Sequence, residues 1–112
     1  GLAELEHRGL AARPVVPPDA THNAHLYFVV AESHALQMRM LSRLKARGVQ
    51  ATFHFQPLHS SPFARAHLPG AVRDLPETDR AALQLVRLPL HAEIEPDVAH
   101  RVVDETIAAA IG

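Results

Sequence analysis

Cysteine and tryptophan are absent from this 112-residue chain, and lysine occurs once, at Lys45. Without cysteine there is neither a disulfide framework nor thiolate chemistry. A formal net charge of −1 provides no basic field of the kind that holds nucleic acid. No apolar run approaches the roughly 18 residues of a membrane span, and the first residues do not resemble a secretory signal. These absences favour a cytoplasmic protein that binds neither nucleic acid nor membrane.

The residues that are present predict one domain with its own core. Hydrophobic residues make up 47% of the chain, and nine histidines and nine prolines are unusual at this length. Residues 1–12 have helical composition, with Gly9 as a stop, and the chain begins without Met. We expect residues 1–12 to be the end of a helix from a preceding region and residues 13–112 to be the domain proper.

Local patterns predict alternating strands and helices. Residues 24–30 are rich in aromatic and β-branched side chains and predict a strand, and the proline-rich residues 13–23 before them predict a linker. Apolar spacing predicts an amphipathic helix over 34–47, begun by Ser33 and stopped by Gly48. Residues 49–55 predict a second strand.

The rest of the chain predicts shorter elements. We expect a short helical piece at 63–67, a surface loop at 68–76, a helix from Glu77 or Thr78, an extended segment at 87–90 and a last helix from Pro96. The last helix carries an apolar stripe at helical spacing. The order predicts an α+β fold, with a small, mostly antiparallel sheet and helices packed on it.

Three kinds of catalytic chemistry find little support in the residues. Nine histidines suggest a metal site, but no H-E-x-x-H or similar ligand frame is present, and His7, His34, His67 and His100 are at positions typical of solvent. Ser60 and Ser61 lack a nucleophile elbow and suit helix capping. Lys45 is near a helix C-terminus, where a solvated lysine is favoured.

The block "ATFHFQPLHSSP", residues 51–62, is the strongest candidate for function. Pro57 breaks either regular structure, so the strand before it turns sharply and can direct His54 and His59 towards one cleft. Imidazoles donate to phosphate or sugar oxygens in either protonation state. A purely structural role for the two histidines remains the alternative at this point.

Together with "HNAHLYFVV" and "RLPL", this block resembles the C-terminal part of the DegT/DnrJ/StrS family of nucleotide-sugar aminotransferases. The resemblance runs from about residue 13 to the C-terminus. Within the family it is greatest to the dTDP-4-amino-4,6-dideoxygalactose transaminases of bacterial surface-polysaccharide and lipopolysaccharide synthesis.

The resemblance implies a homodimeric enzyme that uses pyridoxal phosphate (PLP) to move an amino group from glutamate to a dTDP-4-keto-6-deoxyhexose. It implies that the chain is the small domain, that the PLP lysine lies in a missing large domain, and that this chain holds no catalytic or cofactor-binding residue. His54, Phe55 and His59 match the family's H-aromatic-x-P-L-H block, which faces the substrate. The aromatic is commonly tyrosine in relatives, so Phe55 lacks a hydroxyl here. Apolar surface once covered by the large domain is expected at residues 2–10 and 63–68.

Two alternatives stay open on the sequence. The chain could be a non-enzymatic module derived from that domain, which binds a nucleotide sugar or a partner protein. It could also be a histidine-based metal protein, in which several histidines converge on one ion.

Overall fold

The computed structural model describes residues 1–68, 70 and 73–112. Three strands form one antiparallel sheet in the order β1-β2-β3, and helices pack on it, so the predicted α+β class is confirmed. The elements in chain order are α1 (Ala3–His7), β1 (Ala11–Ala12), β2 (Tyr27–Ala31), α2 (His34–Ala46), α3 (Pro62–His67), α4 (Pro76–Gln84), β3 (Leu85–Leu88) and α5 (Pro96–Ile111).

The core lies between the sheet and α2. Val29 of β2 and Val86 of β3 are fully buried, and α2 contributes Met40 and Leu44 to the same cluster. Each such side chain stabilises the fold by about 1.5–3 kcal/mol relative to exposure. The same helix contacts both strands and also α4 and α5, so it sets the position of every element near the candidate site.

Arginine side chains of α2 and α5 donate hydrogen bonds to backbone carbonyls at the C-terminal end of the other helix. Arg39 and Arg43 of α2 donate to carbonyl oxygens in the last turn of α5 at 3.1 and 3.2 Å. Arg101 of α5 donates to the Arg47 oxygen at the end of α2 at 2.9 Å. The last carbonyls of a helix have no partner within it, so each helix satisfies the end of the other.

Helix predictions were confirmed where caps and spacing agree. Ser33 begins α2, with its Oγ accepting the Leu36 N–H at 3.2 Å, and Ser61 begins α3 in the same way, accepting from Ala64 at 3.1 Å. Pro96 is the first residue of α5. No helix among the described residues is long and apolar enough to cross a membrane.

The first twelve residues only partly match the prediction. Gly9 ends α1 with a φ of 65°, as its position predicts. Beyond it, however, Ala11 and Ala12 pair with Ala31 and Val30 as an edge strand. Alanine-rich composition does not distinguish a two-residue edge strand from a helix end, because the pairing depends on a strand far along the chain.

The predicted strand over 49–55 was wrong. Thr52 exchanges two hydrogen bonds with Arg87, of 3.1 and 2.7 Å, and this single bridge is all that forms. An antiparallel ladder would next pair residue 54 with Leu85. The Leu85 N–H already donates to Ala81 O at the end of α4, and its carbonyl accepts from Gln37 Nε2 at 2.9 Å. With both groups occupied, the chain leaves the sheet after Thr52.

The other two strands are shifted from their predicted positions. β2 covers Tyr27–Ala31 rather than 24–30, because Ala24 has a positive φ of 53° and its N–H donates to His22 Nδ1. β3 covers Leu85–Leu88 rather than 87–90, and Pro89 offers no donor to extend it. The predicted loop over 68–76 is partly outside the described residues, which omit 69, 71 and 72; residues 73–75 have no regular structure.

Candidate histidine site beside helix α4

Once it leaves the sheet, the chain around His54 packs against α4. It forms one side of a groove of about 460 Å³. The first turns of α4 form the other side. The lining residues are His54, Phe55, Pro57, Glu77, Thr78, Ala81 and Ala82. The predicted turn at Pro57 therefore leads the histidine block onto a helix and not along a sheet edge.

His54 lies half-buried in this groove. Its ring is 5.0 Å from the Phe55 ring, centroid to centroid, and the two planes are tilted by 59°. Its Nδ1 atom is buried and makes no hydrogen bond with any described residue. A buried polar atom without a partner is uncommon in proteins and often marks a functional group.

The His59 side chain is largely buried. It is 9% exposed, and its Nε2 atom lies 3.2 Å from Asp79 Oδ1 of α4. That distance suits an ion pair, yet the geometry does not satisfy a hydrogen bond, and Nε2 is left unpaired. The distance is the stronger indication of the two, since a small rotation of the ring or the carboxylate aligns two groups that are already in contact.

Phe55 is on the outside of the block. It is 74% exposed, and the Arg87 guanidinium lies 5.9 Å from its ring centroid. A guanidinium at that distance interacts weakly with an exposed ring. Phe55 also borders a second groove, of about 750 Å³, together with Met38, Phe53 and Leu83. The aromatic ring thus separates two open grooves and offers an apolar face to either.

The structure brings both predicted histidines to α4 but gives them different neighbours. His54 faces the groove that includes Glu77 and Thr78, whereas His59 contacts Asp79. Asp79 was not identified from the sequence. An acidic residue in the first turn of a helix is expected for dipole reasons alone, so no local signal distinguishes it.

The remaining candidates are explained structurally. His7, His34, His67 and His100 are exposed, as predicted. Asn23 and His25, which begin the block "HNAHLYFVV" that resembles the family, lie before β2, where Asn23 Oδ1 accepts the His25 N–H at 3.1 Å. Among residues 1–68, 70 and 73–112, no three histidine, aspartate or glutamate side chains are grouped to hold a metal ion.

Comparison with known proteins identifies the family. The model of the DegT/DnrJ/EryC1/StrS aminotransferase family matches residues 2–106. The chain belongs to this family. It is 34% identical over 105 residues to the dTDP-3-amino-3,4,6-trideoxy-alpha-D-glucose transaminase of Streptomyces venezuelae, covering 93% of this chain and 26% of that protein. It is 25% identical over 92 residues to the dTDP-4-dehydro-2,3,6-trideoxy-D-glucose 4-aminotransferase of Saccharopolyspora spinosa, covering 82% of this chain and 23% of that protein.

Solved aminotransferases have the same fold over this region. The Streptomyces venezuelae enzyme DesV, in complex with a ketimine intermediate, superposes with a TM-score of 0.78 at 27% identity, over 99% of this chain and 29% of that one. Helicobacter pylori PseC, an aminotransferase of pseudoaminic acid biosynthesis, gives 0.82 at 14% identity, over 97% and 29%. Bacillus subtilis NtdA, solved with its cofactor PMP, gives 0.81 at 23%, over 99% and 25%. The chain spans about a quarter of the length of the curated relatives it matches.

The described residues offer no lysine in the position that a PLP Schiff base requires. A Schiff base requires an accessible lysine of lowered basicity, usually in a sheltered pocket. Lys45, the only lysine, is exposed near the end of α2 and borders an open groove with Ser42, Gly48 and Gln50. The described residues therefore do not fit the cofactor, and none of them is assigned a part in its chemistry.

The expected uncovered apolar surface is present in only one of its two places. Leu2 and Leu5 are buried, at 8% and 1% exposed, so the expectation for residues 2–10 was wrong. These leucines join the domain's own core. Phe63 and Leu68, by contrast, are 64% and 50% exposed.

Proposed function

We propose that this chain is the small C-terminal domain of a PLP-dependent sugar aminotransferase. Residues 13–112 form the domain together with β1 and the core leucines of residues 1–12, and residues 1–12 also lead to a preceding large domain. The enzyme moves an amino group from glutamate to a dTDP-4-keto-6-deoxyhexose in the cytoplasm, for bacterial surface polysaccharide. The match of the family model over residues 2–106 carries the proposal, and the quarter-length coverage of the relatives supports the missing domain.

In this proposal the large domain and a homodimer partner supply the PLP site, and this chain supplies one wall of the substrate cleft. His54, Phe55 and His59 form that wall. His54 lines an open groove, where its imidazole can donate to a phosphate or sugar oxygen. Holding the nucleotide sugar fixes the position of its keto carbon, which accelerates the reaction by orientation.

Phe55 contributes an apolar surface to this wall. It has no hydroxyl, and its ring is mostly exposed with Arg87 beside it. An exposed ring packs against the apolar face of a sugar or base without requiring a hydrogen-bond partner. Any contact that a tyrosine hydroxyl would make at this position is lost here, so we propose that recognition at this position is by stacking.

Substitution of the two histidines in the full-length aminotransferase tests the wall. We expect His54→Ala or His59→Ala to raise the KM for the dTDP-keto sugar about 10-fold or more, because hydrogen bonds to charged groups contribute roughly 1.5–3 kcal/mol. The KM for glutamate should stay the same. His100→Ala, at an exposed position of α5, is the matched control. Unchanged KM and kcat for the keto sugar in both site variants would contradict the proposal.

A 3-keto sugar is the second candidate substrate. The relative that is 34% identical is named for a 3-amino product, whereas the 25% relative is named a 4-aminotransferase. Paired assays with dTDP-3-keto and dTDP-4-keto sugars distinguish the two. A larger kcat/KM for the 3-keto substrate would replace the 4-keto assignment and leave the aminotransferase proposal standing.

A further inference from the structure

The contact between His59 and Asp79 has a consequence for the protonation of the ring. We propose that Asp79 is a positioning residue, which holds the His59 imidazole with a proton on Nε2. The His59 side chain is 9% exposed, its Nε2 lacks a hydrogen bond, and Asp79 Oδ1 lies 3.2 Å away. A buried nitrogen without a partner thus lies beside an oxygen that can accept a hydrogen bond. A bond between Nε2 and Oδ1 would satisfy the nitrogen.

The chemistry of the two groups decides which nitrogen carries the proton. A neutral imidazole has one N–H and one lone pair, and an ionised carboxylate can only accept. If Nε2 carried the lone pair, that lone pair and the carboxylate oxygen would lie at 3.2 Å and repel each other. Placing the proton on Nε2 converts the repulsion into a charge-assisted hydrogen bond.

Asp79 can contact His59 because the adjacent arginine of α4 is paired with a different carboxylate. Arg80, the next residue of α4, pairs with Glu77 at 2.8 Å. Within the part of the chain that the structure describes, His59 is the only histidine, lysine or arginine partner within 4 Å of the Asp79 carboxylate. The Asp79 side chain is 43% exposed, and its carboxylate oxygen is available to accept a hydrogen bond.

The backbone holds Asp79 firmly in place. Its N–H donates to Leu75 O at 3.0 Å in the first turn of α4. At the other end of the helix, Gln37 donates to Ala82 O at 3.3 Å and to Leu85 O at 2.9 Å. A carboxylate on a helix that is anchored at its C-terminal end can orient a ring, as a carboxylate behind a metal-bound histidine orients that ligand.

The tautomer specifies what His59 can bind. With the proton on Nε2, the neutral ring presents Nδ1 as an acceptor, which suits a hydroxyl group of a sugar or ribose better than a phosphate oxygen. This consequence rests on the proposed function, because it assumes that the nucleotide sugar reaches the ring. The assignment of the proton to Nε2 does not rest on the proposed function.

Nitrogen-15 NMR of the histidine rings in the 112-residue chain tests the assignment without substrate. At a pH where His59 is neutral, we expect its Nε2 to be protonated. Asp79→Ala should abolish that preference, and Asp79→Glu, which keeps a carboxylate on the half-exposed site, should restore it. Glu77→Gln removes a charge from the same helical turn and should leave the His59 tautomer unchanged.

Three results would overturn the proposal. They are a wild-type His59 protonated at Nδ1, an Asp79→Ala spectrum with the tautomer unchanged, and an equal change in Glu77→Gln. If Asp79→Ala does not fold, the wild-type tautomer and the Asp79→Glu spectrum decide. Failure of the proposed function would show instead as unchanged kinetics in His59→Ala, so the two failures are separate observations.

Discussion

Two polar clusters contact the two ends of α4, and they differ in how their hydrogen bonds are met. At the C-terminal end, Gln37 is 2% exposed and donates to both Ala82 O and Leu85 O. His34 Nδ1 lies 3.0 Å from both Gln37 Oε1 and Leu83 O. At the N-terminal end, His54 and His59 each bury a ring nitrogen that has no hydrogen bond among the described residues.

The difference separates a structural cluster from a candidate functional one. A satisfied buried network fixes the positions of its members, and each member is expensive to lose. A buried polar atom that lacks a partner in the folded chain does not stabilise the fold, because no hydrogen bond offsets its desolvation, and its capacity to bond remains unused. The first cluster therefore holds α4 in place, and the geometry of the second cluster depends on the position of α4. A substitution in the first cluster should therefore lower the free energy of unfolding more than a substitution in the second.

The largest effect is expected at Gln37. We predict that Gln37→Leu lowers the free energy of unfolding by about 2–3 kcal/mol, because it leaves two carbonyls near the core without a donor. Urea denaturation of the purified chain measures this. Gln50→Leu, at an exposed position, is the control and should change stability by no more than about 0.5 kcal/mol. Equal effects of the two substitutions would show that the Gln37 bonds do not hold α4.

A smaller effect is expected at His59. We predict that His59→Leu changes the free energy of unfolding by less than about 1 kcal/mol, since its partner Asp79 is 43% exposed and a half-exposed ion pair contributes little. Asp79 is left half-exposed and returns to water. A loss as large as that of Gln37→Leu would mean that the contact between His59 and Asp79 stabilises the fold as much as the Gln37 bonds do, and the contrast between the clusters would disappear.

The smallest effect is expected at the exposed ion pair between Glu6 and Arg13. Hydrogen bonds from the Arg13 side chain and backbone hold the pKa of Glu6 below its ordinary value of 4.5. The folded state thus favours the charged carboxylate, and the resulting stability is present above pH 4.5 and lost as the pH falls through the lower folded value. Urea midpoints measured across this acid range should fall less steeply for Glu6→Gln than for the wild type. Parallel dependence of the urea midpoint on pH in the two proteins would contradict this prediction.

Much of the fold was predictable because its signals are local. Ser33 and Ser61 cap helices that immediately follow them, and Pro96 begins α5, so capping chemistry and apolar spacing located these helices. The strand over 49–55 was not predictable in the same way. This strand does not form because the Leu85 carbonyl already accepts a hydrogen bond from Gln37, which lies far away in the sequence. In the sequence, Gln37 resembles any polar residue of an amphipathic helix.

The candidate site was predictable only in part, for the same reason. His54, Phe55 and His59 were identified because Pro57 breaks the block and because the block resembles a family motif. Asp79 is twenty positions beyond His59, on a helix where an acidic residue is ordinary. Its contact with the imidazole depends on how α4 packs, which no short-range pattern reports.

Chemical-shift mapping with a dTDP-sugar tests the central claim most directly, that residues 54–61 and α4 form a nucleotide-sugar wall. Titration of the nitrogen-15-labelled 112-residue chain should shift amide signals of residues 54–61 and 76–84, with α5 unaffected. The same titration of His54→Ala should show weaker binding. Shifts confined to α5, or none at residues 54–61 and 76–84, would contradict the account.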